Sequence, residues 1–130
     1  MLVRIDHIVL NCKNVDEMAA WYEKTLGMRR ELFGPEKRVA LKFGDQKINL
    51  RPIGAKNWIT SKSESEGSVD ICFITDKNLS LVKARIEDAG AEIIQGPVEK
   101  IGSRGPMTSL YLRDPEGSLL EISKYNDVKN

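Results

Sequence analysis

The sequence predicts an α+β (mixed α/β) domain made of two βαβββ modules. Three observations carry this. The stretch DHIVLNCKN at 6–14 has a degenerate copy in VDICFITDKN at 69–78. Each copy leads from an apolar strand through Lys-Asn into an amphipathic helix that stops at a glycine. Each helix is followed by three stretches of strand character. The expected boundaries are module one over about 1–54, a polar linker over about 55–67 and module two over about 68–126, within one domain.

In module one, Asn14 is the expected N-cap, with Glu17 three residues on as its capping-box partner. Val15, Met18, Ala19, Tyr22 and Leu26 recur at helical spacing and form one buried face, and Gly27 takes the left-handed conformation that ends the helix. Strands are expected over 28–33, 38–43 and 47–52, with a turn at Gly44-Asp45. In module two, Asn78 is the cap, the stripe is Leu79, Val82, Ile86 and Ala89, and Gly90 is the stop. Strand material follows over 92–95, 109–113 and 118–123. GSRGP lies in a glycine-rich loop over 99–106, and Asp114-Pro115-Glu116-Gly117 suits a type I turn.

Matching His7 with Asp70, an offset of 63, places Ile8 on Ile71, Val9 on Cys72 and Gly27 on Gly90. In the last strands an offset of 70 places Leu50 on Leu120 and Arg51 on Glu121. One such module leaves a sheet face uncovered, and pairing two closes that face into a cup.

Composition narrows the function classes. With 41% apolar and 30% charged residues, the 130-residue chain has the profile of a soluble globular domain that supports one core. A net charge of +1 without a long basic run argues against a nucleic-acid binder. No apolar run approaches the ~20 residues of a membrane span. The N-terminus lacks the pattern of a signal peptide, so a cytoplasmic protein is expected. Cys12 and Cys72 form no C-x-x-C motif and are expected to be reduced, buried thiols. No glycine-lysine phosphate loop is present, so no nucleotide cofactor is expected.

DHIVL opening the first strand, AWYEKTLGM closing the first helix and RDPEGSLLEIS near the end together resemble the vicinal oxygen chelate superfamily. That superfamily includes glyoxalase I, bleomycin-resistance and fosfomycin-resistance proteins and extradiol dioxygenases. FGDQKINL, DICFIT and GSRGP look closest to its small glyoxalase-domain-containing branch. The resemblance implies an incomplete barrel, often dimeric, whose cup holds a divalent metal that binds vicinal oxygens of a substrate. Carried over residue by residue, His7 matches the first-strand histidine and Glu121 the last-strand carboxylate. Asp70 stands where many members have a second histidine, and Arg51 where close relatives place another ligand.

The residue types fit that chemistry. A neutral imidazole and two carboxylates suit Zn, Ni, Mn or Fe, with positions left for water and substrate. His7, Glu121 and Asp70 are therefore the expected metal ligands, and Glu121 is also the expected catalytic base. Arg51 either closes a salt-bridge cluster with Glu121 and Asp70 or grips an anionic substrate. Ser103 and Arg104 either offer N–H groups and a cation to an anion or simply form a turn. Trp58 either stacks on a ligand or caps the edge of the core. The expected function is lyase, isomerase or dioxygenase-type chemistry on a small oxygenated metabolite or xenobiotic by a homodimer. The alternative is a metal-free dimer that binds a small molecule.

Overall fold

The computed structural model describes residues 1–126. Their contacts divide into two compact units. Unit 1 is residues 1–68 with Asp114–Gly117, and unit 2 is 69–113 with the chain from Ser118 onward. The turn expected to belong to module two thus packs with the first unit.

Unit 1 contains β1 (His7–Cys12), α1 (Val15–Leu26), β2 (Arg29–Phe33), β3 (Arg38–Phe43) and β4 (Gln46–Pro52). Its four-stranded sheet has the order β1-β4-β3-β2, parallel between β1 and β4 and antiparallel elsewhere. Unit 2 repeats the plan with β5 (Asp70–Ile74), α2 (Leu79–Asp88), β6 (Gln95–Gly102), β7 (Gly105–Arg113) and β8 (Leu119–Tyr125), in the order β5-β8-β7-β6. Two βαβββ modules are therefore present, as the repeat requires.

Strand alternation gives each sheet two chemically distinct faces. In unit 1, Leu10, Cys12, Leu41, Ile48 and Leu50 are buried on one face together with Met18, Ala19 and Tyr22 of α1. Val15 and Leu26 sit at the margin of that core, and Thr25 is buried in their place. The other face carries His7, Val9 and Asn11 of β1 beside Lys47, Asn49 and Arg51 of β4. In unit 2 the apolar face is Leu110, Leu112, Leu120 and Ile122, with Ile86 as the buried residue of α2. The opposite face carries Asp70 and Cys72 of β5, Glu121 and Ser123 of β8, and Ser109 and Tyr111 of β7.

Three local expectations change. GSRGP is not an extended loop. β6 and β7 run up to Gly102 and Gly105, which pair with each other and leave only Ser103-Arg104 as the turn. Cys72 is exposed, because its strand turns that position away from the apolar face, whereas Cys12 is buried. The capping box is also different. Asn14 Oδ1 accepts the Glu17 N–H at 3.0 Å as expected, but the Asn14 N–H goes to Glu116 Oε2 at 2.8 Å.

Glu116 accepts the Lys13 N–H as well, at 2.8 Å, so one carboxylate receives two consecutive backbone donors at the start of α1. Asp114, two residues earlier, accepts the Tyr22 hydroxyl at 2.8 Å and, through Oδ1, the N–H groups of Glu116 and Gly117 at 2.9 Å. Gly67 makes the close fit possible. It has φ +65, and a Cβ there would stand 2.4 Å from the Glu116 carbonyl oxygen. At the far end of α1, Gly27 has φ 70 and returns its N–H to Glu23 and Tyr22.

Tyr22→Phe would leave a buried Asp114 oxygen without its phenol donor. The expected loss is about 2 kcal/mol of stability, read as a lower urea midpoint at unchanged slope. Burial, aided by Glu116 and Asp114, pushes the Cys12 thiol from 9.0 up to about 12. The unfolded chain loses that proton first, so stability is complete below pH 9 and falls between 9 and 12. Urea midpoints at about pH 8 and about pH 10 should differ less in Cys12→Ala than in the parent.

Candidate functional site

The candidate residues lie on the polar faces of the two sheets. His7 begins β1 and is partly exposed, and its Nδ1 lies 2.8 Å from Asp6 Oδ2. That hydrogen bond is the main reason the Asp6 carboxyl lies below its usual range. With Nδ1 held by Asp6, Nε2 is the ring nitrogen left to act. A neutral metal-binding imidazole is held in the same way, through its other nitrogen.

Two residues along β4 from the partner of His7 stands Asn49, beside Val9. Asn49 is 6% exposed, and its Oδ1 is buried without a hydrogen-bond partner. A buried carbonyl oxygen left unpaired costs free energy, so a donor or a cation supplied from outside the described residues would be favoured there.

In unit 2, Asp70 is opposite Leu119, and Glu121 stands two residues further along β8, beside Cys72. Glu121 Oε2 accepts the Ser123 hydroxyl at 3.2 Å, and Ser123 Oγ lies 2.6 Å from Ser109 Oγ. Tyr111 is the cross-strand neighbour of Glu121; burial, aided by the Glu121 carboxylate, raises that phenol above its usual value. Cys72 Sγ is 3.3 Å from Ser123 Oγ. Although the residue is exposed, desolvation is the main cause raising its thiol, with Glu121 and Asp70 adding to the effect.

The two ladders correct the expected pairing of modules. Relative to His7, the residue in the position that Glu121 holds relative to Asp70 is Asn49. Arg51 corresponds instead to Ser123, because the last strands match at an offset of 72 rather than 70. A slip of two residues keeps every side chain on its own face, so the apolar pattern does not reveal it. The sign that would have exposed it is the hairpin length: Phe43 and Gln46 close a shorter turn than the one between Arg113 and Leu119.

Arg51 is 3% exposed and pairs with Glu64 at 3.0 Å. Its Nη1 also donates to Asn11 Oδ1 at 2.9 Å, its Nε to the Trp58 carbonyl at 3.1 Å and its Nη2 to the Ala55 carbonyl at 3.1 Å. Glu64 also accepts the Gly54 N–H, which with Arg51 holds its carboxyl below the usual range. Arg51 is a buried strut that ties Asn11 of β1 to the 53–64 segment.

Arg104 is exposed in the β6–β7 turn. Its guanidinium lies 4.6 Å from the centre of the Tyr125 ring, and its N–H donates to the Tyr125 hydroxyl at 3.1 Å. Tyr125 is four residues beyond Glu121, so Arg104 lies ~13 Å along the sheet from that carboxylate. The Trp58 ring is covered by Arg38 at 4.1 Å. Among the described residues, no group of three His, Cys, Asp or Glu side chains is gathered closely enough to hold a metal ion.

Residues 4–122 match the Glyoxalase/Bleomycin resistance protein/Dioxygenase superfamily. The chain is 41% identical over 122 residues to the virulence protein STM3117 of Salmonella typhimurium, covering 94% of this chain and 84% of the relative. It is 30% identical over 125 residues to the metallothiol transferase FosB of Shouchella clausii, covering 94% and 80%. The integron cassette protein VCH_CASS1 from the V. cholerae mobile metagenome superposes with a TM-score of 0.94 at 42% identity, covering 97% and 98%.

Arg51→Lys keeps the charge but cannot span Asn11, Glu64 and two carbonyls at once. Its expected cost is about 2–3 kcal/mol, with faster amide exchange confined to residues 53–64, measured by hydrogen exchange.

Proposed function

The chain belongs to the glyoxalase/bleomycin resistance/dioxygenase superfamily, and on that basis we propose that it is a metal-assisted enzyme acting on a small oxygenated metabolite or xenobiotic. One observation supports this most. His7 with Asn49, and Asp70 with Glu121, occupy the same diagonal in two matching ladders, and Asn49 Oδ1 is buried without a partner. The donor set of one imidazole, one amide oxygen and two carboxylates fits a borderline divalent ion such as Zn, Ni, Mn or Fe. A homodimer is the proposed assembly, in keeping with the family that the chain matches.

His7, Asp70 and Glu121 would hold the ion, with Asn49 as a neutral fourth oxygen. The ion would supply Lewis-acid stabilisation of a substrate oxyanion. Glu121 would accept the proton beside the substrate carbonyl or hydroxyl, and the Ser123 hydroxyl, which donates to it, would orient its carboxylate for that step. Arg104 would meet an anionic extension of the substrate rather than the reacting atoms. This describes lyase, isomerase or dioxygenase-type chemistry. The relative named a metallothiol transferase lends support to metal dependence.

The second reading, a metal-free small-molecule-binding dimer, draws on Arg51. A guanidinium near a dication opposes it by several kcal/mol at an effective dielectric near 20. Glu64, ion-paired to Arg51, offsets most of that repulsion, which favours the first reading.

Calorimetric titration of chelator-treated protein with Ni²⁺, Mn²⁺, Zn²⁺ and Fe²⁺ tests the proposal. Saturable binding of one ion per chain is expected, weakened at least ~10-fold in His7→Ala, Asn49→Ala and Glu121→Ala. Heats no larger than those of the variants would leave the binding-protein reading.

A further inference from the structure

Unit 1 has a cavity on the side of its sheet opposite His7 and Asn49. It has a volume of about 200 Å³. Val39, Leu50 and Pro52 form its floor, Val15 of α1 one side and Trp58 another. The lining is therefore apolar and partly aromatic. The rim is charged: Lys37, Arg38 and Lys56 stand there with a single acid, Glu36. Three cations against one carboxylate leave a net of two positive charges around an apolar pocket.

The backbone singles out the same place. Only two non-glycine residues among those described have positive φ, Lys37 at 52 and Asn57 at 58. Lys37 is on the rim, and Asn57 lies between the lining residues Lys56 and Trp58. Lys37 closes the β2–β3 turn by donating its N–H to the Gly34 carbonyl at 3.1 Å. Glycine is the residue that fits such a left-handed position without strain, so a lysine there carries a conformational cost. Strain of this kind concentrates where a side chain is used. Asn57 is held by its carbonyl, which accepts from Arg38 Nη2 at 2.9 Å, while the Arg38 guanidinium stacks on Trp58.

The geometry points to a second ligand site in unit 1, which takes a small aromatic or short-chain carboxylate. The apolar body lies against Val39, Leu50 and Trp58, and the carboxylate meets Lys37 and Lys56 at the rim. The size is suitable, since a cavity of about 150 Å³ already holds one benzene ring. Arg38, stacked on Trp58, adds to the positive field while keeping the indole in place.

Benzoate is the probe, with benzamide as its neutral counterpart, followed by amide and indole N–H shifts of the labelled full-length protein. Saturable shifts at Val39 and Trp58 are expected, with a Kd of about 1 mM. Benzamide should bind at least ~5-fold more weakly, and added salt should weaken benzoate but not benzamide. Lys37→Gly and Lys56→Ala should each lose about threefold in benzoate affinity. Lys37→Gly also relieves the positive-φ strain, so it folds at least as well as the parent and its loss of binding has no trivial cause. His7→Ala should bind benzoate unchanged, which separates failure here from failure of the metal site. No saturation up to ~20 mM, equal binding of the two probes, or full affinity in Lys37→Gly would overturn the proposal.

Discussion

The carboxylates of one short turn govern how unit 1 is built. A helix starts with N–H groups that its own carbonyls cannot reach. At the start of α1 the Glu17 N–H is met by the cap Asn14, and the N–H groups of Asn14 and of Lys13 before it are met by Glu116, about a hundred residues later in the chain. Asp114 of the same turn takes the phenol of Tyr22, a residue at the centre of the helix's buried face. The helix is therefore fixed at its start and at its middle by one segment. The sheet then has a set surface to pack against, and the rims of its strands fall where they do. The rigidity comes from charge-assisted bonds to backbone donors, which are stronger than neutral ones and more directional than apolar contact.

Much of the architecture was legible in the sequence because each level repeated the same message. Asn14 and Asn78 cap helices as their residue type favours, Gly27 turns left-handed, and the alternation of Val39, Leu41 and Phe43 marks a strand. What was not legible depended on partners far away. No local rule says that the Asn14 N–H would be accepted by the carboxylate of Glu116 rather than by that of Glu17. Nor does composition separate Cys12 from Cys72, since both lie in apolar strands and only pairing decides which face each takes.

The candidate site shows a subtler limit. Alternation along a strand reports which face a residue occupies but not which rung. Arg51 and Asn49 are equivalent by that criterion, and the repeat aligned the wrong one with Glu121. His7, Asp70 and Glu121 could be picked by residue type. Asn49 could not, because its distinction is an oxygen that the fold leaves without a partner. The aspartate that stands in the place of His7 in the second copy keeps the rung and changes nitrogen for oxygen.

Arg51 and Gly67 together change what the connecting segment is. A polar stretch of this composition would ordinarily be a slack tether whose entropy rises with its length. Here one end is drawn in by a guanidinium that bonds two of its carbonyls, and the other is pressed against the carbonyl of Glu116. An insertion is accordingly absorbed only between these anchors, around Lys62, where the exposed backbone has room to bulge.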